Sequence, residues 1–530
     1  VLAEDLMVDP ARVQLRQGGP TLVAPAPIGS AIATVGSGVT RGNYWRLRDA
    51  GAIARETLVQ AAMNRLGDGV RGNHAVLDGV ITHTPTGRQL SYGQVAADAA
   101  LLTPPASAPL VPDAMLRSIG KPMARQDIPS KVDGSARYGL DVRLPGMVYA
   151  AVRHCPTFGG TLATTPSVPA GAMAVVPLTI ASGTGRGADV AGNVNAYAVV
   201  AATTWDAMQG ARRVSPQWRL PANAAQLNSA QFLADGQALA INAKPYVAGG
   251  SNGPGTVYTV EASTADARAA LGLPGTTVVD ATYTLPYVPH ACMEVLNCTV
   301  DYVPGVRCDV YAPTQVARSA LALVVALTGL PADKVSVKPT LLGGGLGRKA
   351  ELDFIAQAVQ VGMAIGKPVM LVWSREEDYT HDQYRPMAVV KARAGLDANG
   401  LFTGWTYRNE SPSILGQRGS TLGPRGDSQG WEASAELPYA FGSHRVEWVS
   451  HPSPIPVGFW RSVGASINTF AVESLIDELA LAARQDPYLF RRNKLTDPRW
   501  LAVLDAAAGM AGWSSAGTSG TARGIAIGKA

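Results

Sequence analysis

A cluster of glycines in the second half of the chain constrains the local backbone more than any other stretch. The cluster consists of Gly343, Gly344, Gly345, Leu346, Gly347 and Arg348. Alternating residues at 334–338 predict a strand before it, and helical spacing at 353–359 predicts a helix after it. Because glycine has no Cβ, the peptide N–H groups of such a turn can approach and bind the oxygen atoms of a ligand. A plain tight turn between strand and helix explains the pattern equally well.

The glycines do not match the common nucleotide-binding motifs. In the dinucleotide pattern G-x-G-x-x-G the third glycine position is occupied by Arg348, and the phosphate-loop pattern is absent as well. A nicotinamide- or flavin-binding dehydrogenase therefore has little support, and the glycines alone do not identify a ligand.

Composition excludes several other classes of protein. The chain has 530 residues, enough for two to four domains, and its net charge of +5 comes from scattered Lys and Arg, so we predict no nucleic-acid partner. The four cysteines have no C-x-x-C spacing, and the seven histidines contain no H-x-x-x-H. We therefore predict no metal site built from protein side chains, and any bound metal should be held mainly by another group.

Three further segments contain polar or glycine residues of interest. A Gly/Ser loop at 36–42, with Ser37 and Gly38, precedes a helix that the spacing predicts over about 45–66; it is either an anion cradle or a connector. The charged run at 375–378 is typical of a solvated turn or a subunit contact. His290 and Glu294 are not assigned to catalysis, since such a pair beside a strand end is more often structural.

Several segments in order along the chain resemble the molybdenum-binding subunit of the xanthine dehydrogenase/aldehyde oxidase family. The branch is that of isoquinoline 1-oxidoreductase-type and bacterial membrane-associated aldehyde dehydrogenase large subunits. The matching segments are residues 118–122, 127–138 (DIPSKVDGSARY), 145–149, 290–294 (HACME), 314–315, 343–348, 373–378 and 460–473 (WRSVGASINTFAVE).

The resemblance implies a mixed α+β and α/β fold. It would contain molybdopterin-binding domains with an inserted α/β hammerhead domain. The expected divisions are 1–105 as the N-terminal segment of a molybdopterin-binding domain, 118–225 as the hammerhead, 226–280 as a connecting region and 281–530 as molybdopterin-binding domain. The start of the first and the end of the last are expected to be missing.

The resemblance also implies a cofactor and roles for individual residues. The cofactor is molybdopterin, in this branch usually as the cytosine dinucleotide, with molybdenum held by the pterin. Residues 343–348 correspond to the turn packed against the oxygen ligands of the metal, and Gln315 to a glutamine that binds an oxo ligand. A helix-cap contact is the alternative for Gln315. Arg461 corresponds to an arginine near the substrate, with an ion pair to Glu473 as the alternative. Ser37 and Gly38 correspond to the region that binds the dinucleotide end.

The implied activity is oxidation of an aldehyde, or hydroxylation of an N-heteroaromatic carbon, with water as the oxygen source. Electrons would leave through a small subunit with [2Fe–2S] clusters, and in this branch often through a membrane cytochrome c subunit. The implied location is the periplasmic face of the bacterial inner membrane, with the cytoplasm as the alternative. The residues do not distinguish the two substrate classes.

The chain departs from the family pattern at three places. Leu346 replaces a phenylalanine, and Ala350 stands where purine-oxidising relatives have a glutamate, so purine is a poor substrate candidate. The C-terminal Gly-x-Gly-Glu-Pro-Gly-like motif with the general-base glutamate and the N-terminal Gly-Gln-Gly are missing. We therefore expect a fragment or a split subunit. A non-catalytic scaffold subunit that lacks the base is the alternative function.

Overall fold

The computed structural model describes residues 1–14, 19–20, 22, 33–250, 252–514 and 520–528. These residues form two compact units, Val1–Tyr138 with Gln315–Arg318, and Gly139–Thr314 with Ser319–Ala530. The domain boundaries expected from the sequence stay a prediction. None of the described helices combines the length and the apolar character needed to cross a membrane.

The first unit packs helices against a small antiparallel sheet. Its α-helices are Leu2–Leu6, Gly38–Leu66, Tyr92–Ala99 and Ile128–Val132. Its three strands, in spatial order, are His74–Leu77, Val80–His83 and Gln89–Ser91. Val59, Ile81 and Val95 are fully buried, so that the long helix, the sheet and the helix after it share one apolar core.

The long helix begins earlier than the sequence predicts. We expected a loop at 36–42 and a helix from about residue 45, but the helix starts at Gly38. Its first turn already has helical hydrogen bonds, because the N–H of Arg41 donates to the carbonyl of Ser37 at 2.9 Å. The apolar spacing starts only at Leu47 because the first turns are exposed, and exposed turns carry no apolar signal.

The second unit contains a seven-stranded sheet. Its strands, in spatial order, are Val335–Pro339, Arg307–Ala312, Asn297–Val303, Val369–Val372, Val148–His154, Val194–Ala201 and Ala174–Thr179. The predicted strand, turn and helix around the glycines are confirmed, since Val335–Pro339 is an edge strand and Asp353–Ile365 is a helix. The helix packs closely on the sheet: a Cβ at Gly362 would lie 2.9 Å from Cγ1 of Val300. This packing fixes one end of the glycine turn.

A second, six-stranded sheet forms the rest of the core. Its strands, in spatial order, are Thr277–Leu285, Ala388–Leu396, Phe402–Pro412, His444–His451, Thr256–Ala262 and Lys244–Pro245. A two-stranded sheet pairs Thr161–Thr164 with Gln217–Arg219. The α-helices of this unit are Thr204–Arg213, Ser229–Asn242, Ala267–Leu271, Ala317–Thr328, Asp353–Ile365, Arg375–Thr380, Ser428–Trp431, Ala465–Ala482, Pro487–Arg492 and Pro498–Met510. The first two residues of the helix Ala317–Thr328 belong to the first unit, and the helix belongs to this unit from Ser319 onward.

The interpretation of 375–378 as a solvated turn is wrong. These residues begin the helix Arg375–Thr380, in which Glu377 and Asp378 are buried. Glu377 accepts hydrogen bonds from the backbone N–H of His154 at 3.0 Å and pairs with its Nδ1 at 2.8 Å. Glu377 is thus buried because a partner on another element compensates its charge, whereas Asp378 pairs with Arg375 of the same helix at 2.7 Å.

Candidate functional site

The glycine turn is fixed at its first residue by Glu294. The N–H of Gly343 donates to Oε2 of Glu294 at 2.9 Å, and the N–H of Glu294 donates to the Gly343 carbonyl at 2.9 Å. A Cβ at Gly343 would lie 2.4 Å from Cβ of Glu294, a distance that side chains do not tolerate. Only glycine therefore fits at position 343 without moving the neighbouring chain.

The turn is fixed at its other end by close packing of backbone on backbone. Gly347 has φ of 105°, a conformation that favours glycine. A Cβ there would lie 1.4 Å from the carbonyl oxygen of Phe459. The segment that carries Arg461 is therefore in contact with the turn.

Between these two ends, the peptide N–H groups form an open row. Within the described residues, the N–H groups of Gly344, Gly345 and Leu346 have no hydrogen-bond acceptor, and all three residues are partly exposed. Gly344 and Leu346 have φ of 94° and 54°. Consecutive N–H groups in such a turn form a concave donor site for oxygen atoms that carry negative charge. The geometry therefore fits the oxygen ligands of a molybdenum cofactor.

Arg348 points into the protein interior, where it supports the turn. It is fully buried, and its Nη1 and Nη2 donate to the two carboxylate oxygens of Asp353 at 2.8 and 2.7 Å. Nε lies 2.8 Å from Oδ1 of Asp382. Burial opposes the charge of Arg348, yet the two carboxylates outweigh it and raise its pKa. The guanidinium is thus a permanent structural cation.

Lys349 forms a second buried ion pair next to the first. Its Nζ lies 2.7 Å from Oε2 of Glu294, and the lysine side chain has no exposed surface. Oε1 of Glu294 accepts the N–H of Leu140 at 3.1 Å. The carboxylate of Glu294 thus holds one cation and two backbone N–H groups, which makes it the central anchor of the turn.

His290 places an unpartnered nitrogen near the end of the turn. Asp382 accepts a hydrogen bond from the backbone N–H of His290, and its Oδ2 lies 3.0 Å from the Nδ1. The Nε2 atom of His290 is buried, has no hydrogen-bond partner among the described residues, and lies 3.2 Å from where a Cβ of Gly347 would be. Burial alone would raise the pKa of Asp382, but His290 and Arg348 lower it.

Arg461 is exposed on a strained loop beside the turn. Its guanidinium lies over the ring of Trp460, 5.1 Å from the centroid, and the indole N–H of Trp460 donates to the Pro289 carbonyl at 3.1 Å. Ser462 and Val463 have φ of 62° and 42°, costly values for residues other than glycine. An exposed cation on an otherwise fixed loop is free to meet a ligand.

The alternative partner for Arg461, Glu473, is occupied elsewhere. Its Oε2 accepts from Nε of Arg491 at 2.8 Å, and its Oε1 accepts from the hydroxyl of Tyr439 at 2.9 Å. The ion pair between Arg461 and Glu473 that the sequence left open is not formed.

The other candidate residues belong to the first unit. The side-chain amide of Gln315 donates to the carbonyl of Thr34 at 2.9 Å, and the N–H of Thr34 donates to the Gln315 carbonyl at 2.9 Å. Ser37 precedes the first helical residue, Gly38; it has φ of 54°, and both residues are exposed. The cofactor roles of these three residues stay predictions.

The structure brings together three segments that the sequence treats separately. Residues 289–294, 343–349 and 459–461 meet around the row of N–H groups. Glu294 and Asp382 are the functional residues that the sequence analysis did not assign. The HACME segment contained the signal for Glu294, while nothing in the spacing indicated that Asp382 would contact both His290 and Arg348.

Known proteins relate the segment that contains the turn to a cofactor-binding domain. Residues 251–495 match the molybdopterin cofactor-binding domain. The chain is 27% identical to the beta subunit of isoquinoline 1-oxidoreductase from Brevundimonas diminuta, over 97% of this chain and 68% of that protein. It is 26% identical to a membrane-bound aldehyde dehydrogenase (pyrroloquinoline-quinone) from Gluconacetobacter polyoxogenes, over 94% of this chain and 63% of that protein.

The fold is also that of a solved structure. Quinoline 2-oxidoreductase from Pseudomonas putida 86 superposes with a TM-score of 0.56 and 18% identity, over 75% of this chain and 55% of that chain. The predicted fold class is confirmed. The chain spans about two thirds or less of the length of these proteins. Residues 251–495 thus match a molybdopterin cofactor-binding domain, and over almost its whole length the chain is similar to molybdenum-binding large subunits of the xanthine dehydrogenase/aldehyde oxidase family.

Proposed function

We propose that this chain holds the molybdenum cofactor in a hydroxylase that oxidises an aldehyde or an N-heteroaromatic carbon, with water as the source of oxygen. The observation that carries the proposal is the row of N–H groups at Gly344, Gly345 and Leu346, which have no acceptor within the described chain. These groups lie within the segment that matches the cofactor-binding domain.

The residues around the turn position the cofactor. When bound, the molybdenum cofactor supplies the two-electron oxidation. The open N–H groups would donate to its oxygen atoms, while Glu294 and Lys349 keep the turn in place. Because these dipoles are fixed before any ligand arrives, binding costs little reorganisation of the protein.

Arg461 would act on the substrate. An exposed guanidinium beside the turn can donate to an oxygen or ring nitrogen on which negative charge develops during attack. Both substrate classes develop such charge, so Arg461 suits an aldehyde and a heterocycle alike. The names of the relatives include both an isoquinoline oxidoreductase and an aldehyde dehydrogenase, and we keep both classes in the proposal.

We also propose that the cofactor is the cytosine dinucleotide form of molybdopterin. We assign Gln315 to a hydrogen bond with an oxygen ligand, and Ser37 and Gly38 to the dinucleotide end of a cytosine dinucleotide cofactor. For Gln315, this requires exchange of its hydrogen bond to the Thr34 carbonyl. Ser37 and Gly38 are exposed at the start of a long helix, where an anionic group is favoured. The N–H of Gly38 donates to the Val35 carbonyl at 2.8 Å and would have to exchange that bond for one to the ligand.

Electron transfer requires partner subunits. The four cysteines of this chain are buried and form no disulfide bonds, and none belongs to a described group of side chains that could hold a metal. We propose that a small subunit carries two [2Fe–2S] clusters and that a membrane cytochrome c subunit accepts the electrons. The similarity to a membrane-bound dehydrogenase supports placing the complex at the periplasmic face of the inner membrane.

The test is the composition of the complex purified from its source. We expect about one molybdenum and one pterin per copy of this chain, cytidine monophosphate released on hydrolysis of the cofactor, and a partner with iron–sulfur absorption. The complex should then reduce an artificial electron acceptor with an aldehyde or an N-heterocycle. A complex with neither molybdenum nor pterin would overturn the proposal and leave the scaffold role.

A further inference from the structure

A group of possible metal ligands lies in the first unit, far along the chain from the glycine turn. One ligand atom from each of Asp68, His74 and His83 lies within 4.8 Å of the other two. His74 and His83 are directly opposite each other in the hairpin of Val80–His83 with His74–Leu77. Asp68 follows the helix Gly38–Leu66. Three separate elements therefore deliver nitrogen and oxygen ligands to one point.

His74 has a buried nitrogen with no partner. Its Nδ1 lies 3.0 Å from the carbonyl oxygen of Val70, and since a carbonyl only accepts, Nδ1 must carry the proton. In the neutral ring the Nε2 atom then has a free lone pair. This Nε2 is buried without a hydrogen-bond partner among the described residues, in a side chain that is only 1% exposed. A lone pair left unpaired in this way is costly unless something binds it.

His83 can present its Nε2 in the same way. Its Nε2 lies 2.8 Å from Oδ2 of Asp68, and its Nδ1 lies 2.6 Å from the hydroxyl of Thr86. A hydroxyl can donate or accept, so the ring proton can move from Nε2 to Nδ1 while the contact with Thr86 is kept. A histidine whose second nitrogen is hydrogen-bonded to oxygen is the usual form of a metal-binding histidine.

The carboxylate of Asp68 is also oriented in advance. Its Oδ1 accepts the N–H of Val70 at 2.8 Å, and its Oδ2 accepts the side-chain amide of Asn73 at 2.8 Å. A carboxylate is an anion at neutral pH and so complements the charge of a metal ion. Each candidate ligand thus has a second contact that fixes its direction.

We propose that Asp68, His74 and His83 bind a zinc ion through two imidazole nitrogens and one carboxylate oxygen. Ligands of tetrahedral zinc lie about 3.4 Å from one another, so small side-chain movements from the present positions suffice. The side chain of Asp68 is 20% exposed and that of His83 is 9% exposed, so a water molecule can reach this side as a fourth ligand. That leaves room for four-coordination.

Residue spacing does not indicate this site, and it led us to predict no metal site built from protein side chains. His74 and His83 are nine positions apart, outside the short spacings of helical zinc motifs, and the hairpin register brings them together. The ion would tie the hairpin to the loop after the long helix. We expect it to stabilise the first unit, since metal that binds only the folded chain shifts the folding equilibrium.

The test uses the full chain, purified without a polyhistidine tag, dialysed against chelator and then against Zn²⁺. We expect one equivalent of zinc to be retained by elemental analysis, a higher thermal unfolding midpoint with zinc, and a tetrahedral absorption spectrum when Co²⁺ replaces zinc. His74→Gln and the more exposed Asp68→Asn should each lose all three signals. Thr86→Val should weaken zinc binding by about 10- to 100-fold, because Thr86 orients His83.

Two variants serve as controls. His444→Gln removes a partly buried histidine that contacts Glu261 in the other unit, and it should retain the zinc. His154→Gln disrupts the group of His154, Glu377 and His381, whose possible ligand atoms also lie within 4.8 Å of one another. If the chain retains no zinc, or if zinc remains in His74→Gln and Asp68→Asn but is lost in His154→Gln, the proposal is wrong.

Discussion

Glu294 and Lys349 form a buried ion pair, with 2.7 Å between Oε2 and Nζ, and the same carboxylate oxygen accepts the N–H of Gly343. One side chain therefore neutralises a buried cation and fixes the first residue of the glycine turn. Glu294 therefore affects both the position of the N–H donor groups in the turn and the stability of the fold.

The first prediction concerns this coupling. Glu294→Gln leaves Lys349 as a buried cation without its counter-charge, which should lower the free energy of unfolding by about 3 kcal/mol. We also expect the molybdenum content of the purified complex to fall, because Gly343 loses its charged acceptor. Urea unfolding and elemental analysis measure the two effects.

The matched control is the double variant Glu294→Gln with Lys349→Met. Since the unpaired charge is removed with its partner, we expect most of the stability to return while molybdenum stays low. Equal recovery of both quantities would show that Glu294 acts on stability alone.

The second prediction concerns the far end of the turn. Gly347→Ala would place a Cβ 1.4 Å from the Phe459 carbonyl oxygen, so the turn must move. We expect molybdenum to be lost from the complex. Gly366→Ala is the control, because Gly366 also has a positive φ, of 64°, but open space around it. It should cost about 1 kcal/mol in unfolding free energy and keep the molybdenum.

The third prediction separates cofactor binding from catalysis. Arg461→Met removes the exposed guanidinium, and we expect kcat to fall about 100-fold with molybdenum content unchanged. Arg268→Met, at an exposed arginine near Glu447, should leave both quantities unchanged. A kcat for Arg461→Met within twofold of the unmodified enzyme would contradict the role of Arg461.

The fourth prediction concerns pH. Burial raises the pKa of Asp189 from 3.8 to about 6. Between these values the folded chain binds a proton that the unfolded chain has released, so this group lowers stability as pH rises through that window. Asp189→Asn should match the unmodified chain near pH 4 and exceed it above pH 6, by at most about 3 kcal/mol in urea unfolding. Asp280→Asn, at an exposed ion pair with Arg393, is the control for removal of a carboxylate from the surface.

Local patterns predicted the parts of this structure that depend on neighbouring residues. The strand, turn and helix around Gly343 to Gly347 follow from alternation, glycine content and helical spacing, all of which act over a few residues. The early start of the helix at Gly38 was missed because its exposed first turns have no apolar periodicity.

Long-range contacts could not be predicted from the sequence, and the reason is physical. Asp382 holds His290 and Arg348, which come from segments separated by dozens of residues, and only the folded chain places them together. Glu377 was misjudged because its partner His154 lies on another element, the strand Val148–His154. The burial of a charged residue can be predicted only when the residue that carries the opposite charge is known.

The contact between Gly347 and the Phe459 carbonyl has a consequence for how such an enzyme can change its substrate. An insertion or deletion in the loop that carries Arg461 would shift that carbonyl and with it the donor row of the turn. New specificity should therefore arise through replaced side chains, at positions such as 346 and 461, while the lengths of both segments are retained. Libraries for altered substrates should vary residue type there and leave the backbone length untouched.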